Sequence, residues 1–141
     1  MNTTDILEAY PHEVETDVAL IADAIDALQR CALACTACAD ACLAEDMIGD
    51  LRLCIRTDLD CADSCEALTR ILTRRLGYPG AVIRAHLQAC IIACSTCGDE
   101  CAQHAEMHEH CRLCAEACRA CEAACRALLS AAESSEKAMP A

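Results

Sequence analysis

Within four clusters along this chain, successive cysteines are separated only by steps of three, four or seven residues. They stand at Cys31, Cys35, Cys38 and Cys42; at Cys54, Cys61 and Cys65; at Cys90, Cys94, Cys97 and Cys101; and at Cys111, Cys114, Cys118, Cys121 and Cys125. Residues three and four apart stack on one face of an α-helix. Each cluster is therefore a thiol stripe on one helix, at the positions that face the axis of a helical bundle. One buried cysteine is readily a small apolar core residue. All 16 in register, with none on a polar face, make a lining.

The rest of the sequence agrees with an all-α, up-down-up-down antiparallel four-helix bundle with a Cys-lined core. Helices are expected at about residues 12–44, 47–76, 81–105 and 107–133, in a single domain spanning 1–141 with a flexible tail from 134. Pro11 suits a first helical position, and Glu13, Glu15 and Asp17 favour the positive end of the first helix dipole. Thr4 is expected to cap one short extra turn. Gly77-Tyr78-Pro79-Gly80 is the clearest breaker, whereas the last turn, within His104–His110, has neither Gly nor Pro. Short connections make neighbouring helices antiparallel. Aromatics are only 1% of the chain, Tyr10 and Tyr78, so cysteine takes the volume that rings normally fill.

The stripes continue in aliphatic residues. Val14, Val18, Ile21, Ile25 and Leu28 precede Cys31; Leu68 and Leu72 follow Cys65; Val82, Ile83 and Leu87 precede Cys90; Leu128 and Leu129 follow Cys125. In an antiparallel bundle these segments meet at one end, as an apolar plug. The opposite end collects Cys42, Cys54, Cys101 and Cys111. There Asp58 takes the register position of a missing thiol, between Cys54 and Cys61. His104 and His108 prolong the third stripe, and Met107, His110 and Met47 lie near in sequence. An unpartnered buried carboxylate is costly, so Asp58 is expected to face water or metal near this mouth, with His104 and His108 as metal contacts. His12 and His86 lie away from it.

Dense thiols select soft ions: Cu(I), Zn(II) or iron–sulfur clusters. Zinc favours closed tetrahedra from short loop-borne pairs, and iron–sulfur clusters favour wrapping loops. Cu(I) accepts two or three thiolates and shares them, which suits an unbroken ladder. Each ion displaces a proton, so loading is expected to be pH-dependent and many ions deep. No nucleophile, base and substrate cavity come together, and no Glu-x-x-His di-iron motif is present. The chain is thus read as no enzyme. The alternatives are a multi-zinc or structural thiol-rich bundle, and a thiol redox protein working through one Cys-x-x-Cys pair. A net charge of −12 disfavours nucleic acid and anionic membranes as partners. No apolar run reaches the ~18 residues of a membrane span. The N-terminus has no signal-peptide pattern, and with reduced thiols the expected compartment is cytoplasmic.

The spacing Cys-x3-Cys-x2-Cys-x3-Cys at 31–42 and 90–101, and Cys-x2-Cys-x3-Cys-x2-Cys-x3-Cys at 111–125, resembles the bacterial copper storage proteins. Together with Cys54, Asp58, Cys61, Cys65, His104 and His108, the pattern is similar to their cytosolic branch over about residues 12–133. That resemblance implies a homotetramer of bundles, Cu(I) held along the core, and copper storage and detoxification; a copper chaperone or small thiol is the expected donor. It also implies that Cys38, Cys54, Asp58, Cys101, His104, His108 and Cys111 line the entrance.

Overall fold

The computed structural model describes residues 1–14, 16–77 and 80–138. The expected roles of Glu15 in a helix start and of Tyr78-Pro79 in the breaker lie outside the described residues, as do residues 139–141. Among the described residues there are five helices and no strand: α1 (Thr3–Glu8), α2 (Val18–Ala44), α3 (Ile48–Thr73), α4 (Gly80–Ala102) and α5 (Glu109–Ala138). The four long helices form a ring in which α2 and α4 each pack against α3 and α5. Short connections alternate their directions, giving the expected antiparallel bundle.

The ends of the elements differ from the sequence expectation for identifiable reasons. The first long helix starts at Val18 and not near Pro11, because Asp17 caps it: its side chain accepts from the Leu20 N–H at 3.1 Å. Residues 1–14 and Thr16 instead lie at the plug end. There α1 is capped by Asn2 and not Thr4, through a reciprocal capping box with Asp5. Leu7 enters the core, and the buried guanidinium of Arg75 donates to the Leu7 carbonyl at 3.3 Å and to the Thr16 hydroxyl. The breaker turns on Gly77, whose φ of 67° lies in the left-handed region that glycine tolerates. Beyond α4 the chain winds on through turns, with His104 N–H on Cys101 C=O at 3.0 Å and His108 N–H on His104 C=O at 3.0 Å. This tight winding needs no Gly or Pro. α5 continues to Ala138, past the expected end at Glu133.

Ile21, Ile25, Leu28, Leu68, Leu72, Ile83, Leu87 and Leu128 are all buried and form the plug. Each contributes about 1.5–3 kcal/mol of transfer free energy. Val82 does not join them: it is 47% exposed, because it lies one residue off the Ile83–Leu87–Cys90 face. α4 is long and apolar enough to cross a membrane by length and composition alone, contrary to the sequence expectation. Its cysteines raise that apolar content, and all of them are buried inside the bundle.

α4 and α5 approach closely at Gly98. A Cβ there would lie 3.3 Å from the Cys118 Cβ and 2.9 Å from the Arg119 Nη1. Arg119 crosses this spot to reach the Ser95 carbonyl and the Asp99 carboxylate. Gly98→Ala should be nearly neutral, since a flexible guanidinium yields and helix propensity improves by about 1 kcal/mol. Gly98→Val should lower stability by about 1–3 kcal/mol through overpacking. Thermal unfolding checks this; equal melting of the two variants would show that the α4–α5 separation is soft.

Candidate metal centre

Every one of the 16 cysteines is buried and free. α2 and α3 bring their stripes inward from one side of the tube, α4 and α5 from the other. From the plug outward, the Cys65 Sγ stands 3.8 Å from Cys90 and 4.0 Å from Cys94, Cys121 and Cys61. Cys61 is 3.7 Å from both Cys94 and Cys31. Cys31 is 3.8 Å from Cys118 and 3.9 Å from Cys35, and Cys35 is 3.6 Å from Cys114 and 3.8 Å from Cys97. Cys97 is 3.9 Å from Cys101, which is 3.5 Å from Cys54. These are van der Waals contacts between sulfurs, and they run unbroken along the axis.

The contacts group into overlapping quartets. In Cys31/Cys65/Cys94/Cys121, Cys31/Cys35/Cys61/Cys118 and Cys35/Cys97/Cys114/Cys118, the sulfurs all lie within 4.8 Å of one another. Cys31, Cys35 and Cys118 each belong to two quartets. The same spacing holds nearer the mouth for Cys38/Cys42/Cys54/Cys111 and for Cys38/Cys54/Asp58/Cys101. Shared thiols suit an ion that accepts bridging ligands, and poorly suit isolated closed tetrahedra.

Asp58 is fully buried, one turn inside the mouth and not on an open rim. Its Oδ1 is surrounded by the sulfurs of Cys97, Cys114 and Cys101 at 3.0, 3.2 and 3.3 Å. Burial, and then the contact with Cys97, push its pKa up to about 9, so the carboxyl is neutral at pH 7. Burial, followed by the charge of Cys38, pushes the Cys42 thiol up to about 12 and raises Cys111 likewise. Deeper in, Cys65 is raised by the thiols of Cys121, Cys31, Cys61 and Cys90 and by burial. At these protonated positions an entering cation must displace a proton.

The three histidines of this end stand in different settings. His110 is the ring that meets the thiols, its Nδ1 standing 3.3 Å from the Cys38 Sγ and 3.6 Å from the Cys111 Sγ. His104 instead pairs through Nε2 with the Glu100 Oε1 at 3.3 Å, and His108 pairs through Nδ1 with the Glu45 carboxylate. Met107 and Met47 are 64% and 44% exposed. His12 and His86 are exposed and remote from the mouth. Sequence reasoning missed Glu45 and Glu100. Both had a signal: Glu45 comes three residues after Cys42, and Glu100 comes four before His104.

A family model described as "Copper storage protein" matches residues 18–130, which is all four long helices up to Ser130. The chain belongs to the copper storage protein family. Similar solved structures include several from Streptomyces lividans. The copper storage protein Ccsp, loaded with 10 copper equivalents, is 55% identical, with a TM-score of 0.91 over 92% of this chain and 99% of that one. A five-copper form, described as a cytosolic copper storage protein, is 60% identical, with a TM-score of 0.79 over 79% of this chain and 93% of that one. A Ccsp variant with two histidines replaced by alanine is 57% identical, with a TM-score of 0.81 over 82% of this chain and 98% of that one. The chain matches no curated protein sequence.

Proposed function

We propose that this chain stores many Cu(I) ions along its core, in the cytoplasm, and carries out no catalysis. The observation that carries the reading is the unbroken line of sulfur contacts, 3.5–4.0 Å apart, from Cys90 to Cys54. All 16 cysteines serve as ligands, each Cu(I) replacing about one proton so that the dry interior stays near neutrality. Asp58 gives the mouth-side quartet an oxygen donor, and the His110 Nδ1 gives it a nitrogen. His104 and His108 flank this opening with their carboxylate partners. The exposed Met47 and Met107 are soft ligands outside it, suited to a first transient contact. Copper enters at this end because aliphatic side chains, the N-terminal segment and Arg75 close the other. In this reading the chain works as a homotetramer of bundles, and a copper chaperone or a small copper–thiol complex supplies the metal.

Anaerobic titration of the reduced protein with Cu(I), against a competing chelator, tests the reading. Uptake should continue well past the about four ions that 16 thiols hold as closed tetrahedra. Saturation at about four or fewer would overturn it.

A further inference from the structure

The donor chemistry changes abruptly at the mouth. Below it stand sulfurs and one carboxyl; at it stand imidazoles and carboxylates. Glu45 caps the C-terminus of α2, and its Oε2 sits between two rings, in contact with the His108 Nδ1 and 3.8 Å from the His110 Nε2. The two rings stack at 5.4 Å with 21° between their planes. The His110 Nε2 is buried and has no hydrogen-bond partner. Leaving a buried nitrogen unsatisfied costs about 1–3 kcal/mol, and a bound cation would remove that cost.

Two imidazole nitrogens and a carboxylate oxygen suit a borderline divalent ion better than a soft monovalent one. In a tetrahedral site with bonds of about 2.0–2.2 Å, ligand atoms stand about 3.4 Å apart. The separation of the Glu45 Oε2 from the His110 Nε2 is close to that. The Glu45–His108 contact is tighter and must open by about an ångström. Water completes the shell, as in open zinc sites. These donors need no proton stripped from a buried thiol, and they place no double charge in the dry column. A divalent ion therefore meets them before the sulfurs.

We propose that Glu45, His108 and His110 form a Zn(II)-type divalent site at the mouth, whose occupation blocks Cu(I) uptake. The blocking follows from the tautomer. A neutral imidazole has one lone pair and one N–H. A metal on the His110 Nε2 leaves the proton on Nδ1, the atom that faces Cys38 and Cys111. His110 then donates toward the sulfurs and cannot ligate Cu(I). The blocking, but not the divalent site, rests on the storage reading.

The test is anaerobic titration of the reduced protein with Co(II), the spectroscopic substitute for Zn(II). The first equivalent should give weak visible d–d bands without intense thiolate-to-cobalt charge transfer. Glu45→Gln and His108→Ala should each weaken that binding at least about tenfold, with helical circular dichroism retained. Charge-transfer absorption from the first equivalent, or unchanged affinity in both variants, overturns the site. With Co(II) bound first, the initial phase of Cu(I) uptake should slow, and Glu45→Gln should abolish the slowing. Unchanged uptake with the site filled overturns the blocking. A protein that binds Co(II) as described but takes up no Cu(I) removes the storage reading and leaves the divalent site standing.

Discussion

Replacing Cys31, Cys61, Cys94 and Cys118 together by valine should remove twice the copper capacity that four ligands account for. These residues make one cross-section of the tube, linked at 3.7 Å between Cys31 and Cys61, 3.7 Å between Cys61 and Cys94, and 3.8 Å between Cys31 and Cys118. Cys65, Cys90, Cys121 and Cys125 lie beyond them, toward the plug. With a valine layer in place, ions arriving from the mouth have no sulfur to step onto. The deeper thiols remain present but are not reached. Capacity should then fall to that of the eight thiols on the mouth side and not to that of the 12 remaining. Valine fills the space of cysteine with about one methyl group in excess, a tolerable overpacking. Cu(I) titration of the variant, with helical circular dichroism as the folding control, decides it. A loss in simple proportion to the four missing thiols would mean that copper also enters elsewhere.

The second large effect concerns the empty protein and Asp58. Its folded pKa of about 9 lies far above the ordinary aspartate value of 3.8. The native state holds this proton more tightly than the unfolded chain does. The stabilisation is therefore complete below about pH 4 and is lost as pH rises toward 9. At pH 7 the loss is on the order of 4 kcal/mol, from about 1.4 kcal/mol per pH unit above the unfolded value. Asp58→Asn keeps the shape and removes the titration. The apo variant should be more stable than the parent at pH 8, by several kcal/mol, and nearly equal to it at pH 4. Denaturant unfolding of metal-free, reduced protein at the two pH values measures this. A constant difference between them would mean that the carboxyl is charged in the folded core.

Much of this was legible in the residue spacing. Steps of three and four leave only one face for the cysteines, so the tube and its aliphatic base followed from pattern alone. Helix starts were less legible, because Pro11 and the nearby acidic residues imitate a beginning. Asp17 prevails because its carboxylate reaches the Leu20 N–H. The register of Asp58 could be read, but its depth could not. Depth depends on how far α2, α4 and α5 extend above it, and no single helix carries that information. The choice among the histidines had the same origin. Whether His104, His108 or His110 turns inward depends on where the α4–α5 turn falls, and that turn has no Gly or Pro to mark it. Its backbone bonds on the Cys101 and His104 carbonyls start α5 at Glu109, which brings His110 against Cys38.

The sealed base has a consequence for how old each stored ion becomes. With Arg75 fastening the N-terminal segment over the aliphatic end, a tube open at one end behaves as a stack: the last ion in is the first out. On the storage reading, day-to-day exchange would draw on the layers around Cys38, Cys54 and Cys111, while copper beside Cys90 and Cys125 would wait until everything above it had gone. Such a store answers small fluctuations quickly from its top and keeps a slow reserve at its bottom.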